Sequence, residues 1–399
     1  MKVERVLSLI APACAVLARA CQIHTGIARR KGVLMPCLAF FTLILCAVGN
    51  AQTVKMFDAP GAGTGPGQGT LGIAMNPAGA IAGAYIDARG VNHGFLRAPD
   101  GTITTIDVPG AGTGPGQGTF VAGVGAITPA GAIVGEYTDQ SGVNHGFLRT
   151  PDGTITTIDV PGAGTGPGQG TSAEDINAGG LIAGEYSDLN GVFHGFLRTQ
   201  SGIITTFDVF GAGTNPGQGT FVASVEGINA AGTLAGFYTD QNGVNHGYVR
   251  TPRGSVTTFD VPGAGTGPGQ GTFVGGIDPA GAVLSTYLDQ ANALHGYIRA
   301  PDGTITTFDV PGAGTAPGQG TVPEAINVPG IITGNYVDAG GVNHGFIRAK
   351  PGAITTFDVP GAGAYPGQGT VPFCNNPAGA ITGWEIDASG VYHGFLRNP

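Results

Sequence analysis

Residues 142–164 read Gly-Val-Asn-His-Gly-Phe-Leu-Arg-Thr-Pro-Asp-Gly-Thr-Ile-Thr-Thr-Ile-Asp-Val-Pro-Gly-Ala-Gly. Two short runs of alternating character flank Pro151-Asp152-Gly153, a sequence that turns a chain back on itself. This is the pattern of an antiparallel hairpin, and it recurs. The Phe/Ile-Asp pair closing the second run falls at Asp58, Asp107, Asp159, Asp208, Asp260, Asp309 and Asp358, with spacings of 49, 52, 49, 52, 49 and 49 residues. The His-Gly-aromatic motif gives the same count, at His93, His145, His194, His246, His295, His344 and His393. A period near 50 that fills the chain from residue 53 onward means repeated supersecondary units stacked on one another.

Around the hairpin each unit shows four strand-like runs. In the second unit they span residues 121–127, 132–138, 143–149 and 154–160, divided by Thr128-Pro129-Ala130-Gly131, Asp139-Gln140-Ser141-Gly142 and Pro151-Asp152-Gly153. The Asn/Asp, Pro and Gly offsets are those of tight turns. The fourth run enters the glycine-rich string Pro161-Gly-Ala-Gly-Thr-Gly-Pro-Gly-Gln-Gly-Thr171, a long connection to the next unit. Helix is excluded on composition: 75 of 399 residues are Gly and 28 are Pro, the two worst residues for a helix interior. The 41% of hydrophobic residues excludes disorder. The expectation is an all-β fold, a seven-bladed β-propeller of four-stranded antiparallel blades. The chain begins with a lone fourth run, residues 53–58, and ends after a third, residues 391–397. The two complete one blade, so the N-terminal strand is expected to close the ring and leave no free edge.

Residues 1–51 differ in kind. Arg29-Arg30-Lys31 precedes an apolar run from Val33 to Val48 and then Gly49-Asn50-Ala51, which reads as a signal peptide cleaved near Ala51. A second signal-like stretch upstream, from Val6 to Leu17, suggests an over-extended start. The expected organisation is a leader, 1–51, and one domain of seven repeats, 52–399, secreted or periplasmic, monomeric and without a stable membrane span after cleavage. Four of five cysteines lie in the leader, leaving Cys374 alone, so no disulfide framework exists in the remainder. The leader also holds six basic residues and one acidic one; the remaining 11 basic and 25 acidic residues give a net charge of −14. Nucleic acid is an unsuitable partner for such a surface.

The combination of His-Gly-Phe/Tyr-x-Arg, a preceding Gly-x-Tyr-x-Asp-x-x-Gly, and Thr-Thr-Phe-Asp-Val-Pro-Gly-Ala resembles the bacterial HAF-type extracellular repeat family over residues 53–399. The departure is Gly for the central Ala of the His-Ala-Phe tripeptide. The resemblance implies an exported, propeller-like protein and no particular reaction.

The recurring motifs read as structure. The glycine-rich string lacks the Gly-Lys-Ser/Thr ending of a phosphate-binding loop. A histidine present once per unit repeats one packing or hydrogen-bonding role, here a buried imidazole bonded to a nearby aspartate such as Asp159 or to a backbone carbonyl, rather than forming one asymmetric catalytic centre. The Asp of Asp-x-x-Gly, as at Asp139, bonds its own turn; it offers one carboxylate where a calcium loop needs several oxygens. Topology places both sets of aspartates, 14 of the 25 carboxylates, on one face, and the recurring arginines, Arg97 to Arg397, on the other. No cofactor or metal is expected.

Function is sought where the repeat breaks. The residue before the recurring Tyr varies, giving Glu136, Glu185, Phe237, Asn335 and Trp384 as candidate ligand-binding positions. Glu385, standing where Tyr would be, and Tyr365 in the last crossover complete the set. The segment after each Gly-Thr varies too, with Glu174-Asp175, Glu226, Glu324 and Cys374. The expected function is a non-catalytic binding or surface scaffold for an extracellular glycan or envelope component. The alternative is a carbohydrate-active enzyme, glycosidase or lyase, using Glu136, Glu185 and Glu385 in a central funnel, which requires paired carboxylates in a concave pocket.

Overall fold

A computed structural model describes residues 52–399 apart from 122 and 224. The export leader and its cleavage near Ala51 lie outside the described residues. Within them every regular element is a β-strand, and no helix is long and apolar enough to cross a membrane.

The quoted hairpin forms between strands Asn144–Arg149 and Ile155–Ile158, with Gly146 opposite Ile158 and Arg149 opposite Ile155. The preceding strand, Ile133–Thr138, pairs antiparallel with Asn144–Arg149 from Ile133↔Arg149 to Thr138↔Asn144. Asp139 makes that turn by accepting the N–H groups of Ser141 and Val143 through Oδ1, at 2.8 and 2.9 Å. The first strand differs from expectation. It spans Gly118–Phe120, inside the end of the glycine-rich string. Beyond it Val124 and Gly125 form a turn and Ile127 bridges to Ile133. In other units the first strand ranges from the seven residues of Gly69–Met75 and Gly170–Ile176 to the two short pieces Gly271–Thr272 and Gly276–Ile277.

The expectation of seven separate four-stranded blades is overturned. All 29 strands belong to one sheet, and the path through the first three strands of each unit returns on itself as a closed 21-strand barrel. The fourth strands branch from it. The link between units is a parallel pairing of each third strand with the next first strand, as at Asn92↔Gly118 and Asn144↔Gly170. Glycine makes this possible: Gly118 has φ +112°, and a Cβ there would lie 2.0 Å from the Asn92 carbonyl oxygen. Only a residue without a side chain permits the approach, so the units fuse where a bulkier residue would hold them apart. The following threonine adds a second tie: Thr119 Oγ1 accepts the Val108 N–H at 2.9 Å, and each unit repeats this bond. At the seam, strand Thr53–Phe57 pairs antiparallel with Tyr392–Asn398, and Gly69 pairs with Tyr392.

Apolar residues fill the space between units. Phe95, Phe147, Phe196, Tyr248, Tyr297, Phe346 and Phe395 have no exposed surface, and burying each contributes about 2–3 kcal/mol. Cys374 is also buried, and burial pushes its thiol up.

The 52-residue spacings mark units two and four, whose extra residues fall in the first strand. There the chain bows toward the centre of the ring. The Val225 N–H donates to Gly275 O at 2.8 Å and the Ile277 N–H to Glu226 O at 2.9 Å, so the loop of unit four lies against unit five. Val124 and Val225 cluster with Met75, Ala325 and Cys374.

Candidate functional site

Three features combine polar groups with access to solvent. The first repeats around the rim. Each histidine, on a third strand, holds Nδ1 2.7–3.0 Å from the aspartate ending the fourth strand, with Nε2 3.5–3.8 Å from the aspartate of the second turn. In six units a tyrosine of the second strand stacks on the imidazole at 4.7–5.1 Å. The expected His–Asp bond is present, but the imidazoles are part-exposed rather than buried, and their fourth-strand aspartates are 54–61% exposed. The turn aspartates sit low in acidity terms: backbone N–H donation, from Val143 first, holds Asp139 below the ordinary carboxylate range. The arginines lie elsewhere, with Arg149 Nη2 beside the Gly153 turn and Arg250 and Arg397 over the rings of Phe207 and Phe357. In the seventh unit Glu385 replaces the stacking tyrosine. It is buried beside His393, and its Oε2 has no partner; burial pushes it up to about 7.

The second feature is a side cavity of about 240 Å³ between units two and three, lined by Glu136, Ser172, Glu174 and Glu185. Glu174 is the bulged residue of its strand, between Ala173 and Asp175, which turns its side chain into the inter-unit space. Ser172 Oγ donates to Glu174 Oε1, and Glu185 Oε2 accepts the Val222 N–H at 2.8 Å. Burial, then the neighbouring Glu136 charge, pushes Glu174 up to about 7. Burial raises Glu136, and burial followed by the Glu174 charge raises Glu185 well above its ordinary range.

The third is the axial cavity, also about 240 Å³, to which every unit contributes residues from the first strand's end and the turn after it. Asn177 Nδ2 donates to Asn229 O, Asn229 Nδ2 to Asp278 O and Asn327 Nδ2 to Asn376 O, at 3.0–3.3 Å. Asp175 and Glu226 line the same cavity. Asp175 Oδ2 accepts the Ile228 N–H at 2.9 Å, yet burial pushes it up to about 6. Glu226 takes φ +55°, uncommon for a residue with a side chain. Burial, then the charges of Asp175 and Asp278, pushes it up to about 8.

The candidates chosen from sequence do not assemble into one site. Glu136 and Glu185 share the side cavity, but Glu385 stands apart at the seam. Phe237 stacks on Phe221 at 4.9 Å and packs on Phe273. Asn335 is buried and donates to Asn343 Oδ1. Trp384 lies against Phe373 at 5.1 Å, and Tyr365 is 68% exposed on its loop. Among the described residues no group of three or more His, Cys, Asp or Glu is arranged to hold a metal. The axial residues Asp175 and Glu226 were visible only as variation after Gly-Thr; the 52-residue spacing of unit four is a signal that singles out the segment of Glu226, whereas Asp175 lies in a unit of 49 residues without such a mark.

No family model matches the chain and no curated protein does. Among solved structures it is similar to the BP39L lectin from Burkholderia pseudomallei, at 11% identity and TM-score 0.50, over 82% of this chain and 96% of the lectin. It is similar to a mutant puromycin hydrolase complexed with PGG at 13% identity and TM-score 0.50, over 82% of this chain and 53% of the hydrolase. Porphyromonas gingivalis dipeptidyl peptidase 4 matches over 71% of this chain and 44% of its own length, at 11% identity and TM-score 0.38. The chain thus spans about half the length of these two enzymes. At such identity the likeness concerns the fold alone, an all-β, barrel-like closed sheet.

Proposed function

We propose that the protein is an exported, non-catalytic binding protein that takes an extracellular glycan or other polyhydroxylated envelope polymer through repeated weak contacts. The reading rests on the rim. Seven like clusters each present a solvent-open carboxylate, oriented by an imidazole and able to accept hydrogen bonds from ligand hydroxyls. Repeated weak sites on one rigid ring gain avidity on a polymer without any new contact. The lectin and the hydrolase share the fold to the same degree, so the fold does not choose between binding and catalysis. The repetition favours binding: all seven rim aspartates share one environment, whereas a glycosidase needs one carboxyl protonated and its partner ionised.

A glycan array probed with the purified protein tests this reading. The expected result is retention on polymeric glycans at least a hundredfold tighter than on their monosaccharides, unchanged by Trp384→Ala. Retention on no glycan overturns it, and release of shortened sugars would move the assignment to the enzyme.

A further inference from the structure

The axial cavity carries chemistry that the rim reading does not use. Its wall is apolar, with Met75, Ile176, Ile277 and Ile326 among its residues. Much of the polar capacity at its mouth is already committed: the amide N–H groups of Asn177, Asn229 and Asn327 go to neighbouring carbonyls, and their Oδ1 atoms accept from turn N–H groups. Two acceptors are left over. Asn375 Nδ2 donates to Ile331 O, but its Oδ1 has no partner although the residue is only 4% exposed. Glu226 also lines the cavity, and among the described residues neither a hydrogen-bond donor nor a cation pairs with its carboxyl, whose ionisation the charges of Asp175 and Asp278 oppose. An uncommitted buried acceptor is costly, and a carboxyl set among other acids lacks the counter-charge that would stabilise it. Nearly neutral, greasy walls and surplus acceptors call for a ligand that donates, carries positive charge and has a compact apolar body.

We propose that the axial cavity binds a small organic ammonium ion, with the ammonium held by Glu226 and Asn375 Oδ1 and its hydrocarbon part against the isoleucine wall. Apolar enclosure with a few convergent polar groups is the general form of a small-molecule site. Met75 and Val124 of its lining also pack with Val225 and Cys374 in one apolar cluster. The site is independent of the rim, so either can fail alone.

The probe is cyclohexylammonium, with cyclohexanol as its uncharged counterpart, followed by saturation-transfer NMR on the full protein. Cyclohexylammonium should show transfer and cyclohexanol little or none. Glu226→Gln, which keeps the shape and removes the charge, should weaken cyclohexylammonium at least tenfold. Ala230→Trp, at an exposed turn residue of the mouth, should abolish transfer while leaving the melting temperature unchanged, so the test survives if the Glu226 variant fails to fold. Absence of cyclohexylammonium transfer, equal transfer from cyclohexanol, or an unaltered signal in Ala230→Trp would overturn the assignment.

Discussion

Glu324→Gln isolates the cost of one enclosed carboxylate. Glu324 is the bulged residue of strand Gly320–Ile326, between Pro323 and Ala325, and burial alone pushes its carboxyl from 4.5 up to about 8. Between those values the folded state keeps a proton that the unfolded chain has lost, so stability falls as pH rises. Each unit of pH costs about 1.4 kcal/mol. From pH 5 to pH 7 this one group removes up to about 3 kcal/mol, a ceiling because Glu324 retains some exposed surface. Glutamine keeps the shape and never ionises. Urea denaturation at both pH values should therefore show the variant close to wild type at pH 5 and more stable by up to about 3 kcal/mol at pH 7. Glu174, Glu226, Glu385 and Asp175 are raised as well, so the wild type alone should be firmer in mild acid; the wild-type-to-variant gap cancels their share. A gap of the same size at both pH values would refute the assignment of an enclosed, unpartnered carboxyl.

Two further perturbations probe how the units are joined. Gly118→Ala places a methyl against the Asn92 carbonyl and should cost more than about 3 kcal/mol or prevent folding, whereas Gly116→Ala, at φ +76° with open space around it, should cost only about 1 kcal/mol; paired urea titrations measure both, and equal costs would count against the stitch. Deleting residues 52–58 removes the strand that pairs with Tyr392–Asn398 and bares an edge, so the truncated chain should melt at lower temperature and associate in sedimentation measurements; a monomer of unchanged melting temperature would contradict that role.

The second, third and fourth strands were legible because their signals are local: alternation in Ile155-Thr156-Thr157-Ile158 and turn residues at fixed offsets. The His145–Asp159 bond followed from counting across a hairpin. The first strand was not legible, because its opening glycine is chosen for a contact with another unit. Gly118 looks like one more residue of a flexible string, yet it pairs both with Thr138 of its own unit and with the Asn92 backbone 26 residues earlier. The same blindness produced the separate blades, since the pairing that fuses them is a single residue wide. Glu136 and Glu185 stood out as variable positions and were grouped with Glu385 in a central funnel; the structure puts them with Glu174 in a side cavity, and Glu174 is aimed by a bulge that no periodicity announces. Trp384 and Phe237 drew attention as aromatics and turned out to pack on Phe373 and Phe221.

The three-residue insertions of units two and four bear on a problem intrinsic to any near-identical array. Seven interchangeable modules offer many almost equivalent ways to choose neighbours, within one chain or between two. The bowed loops remove that degeneracy. Gly125 gives its carbonyl to Ile176 and leaves room for the Asp175 carboxylate, while Asp175 in turn receives Ile228, and Glu226 receives Ile277. Each contact fits one neighbour and no other, so modules two to five carry a lock-and-key order that the shared repeat lacks. Departures from symmetry at the axis thus act as an address code for assembly, telling each module which copy stands beside it.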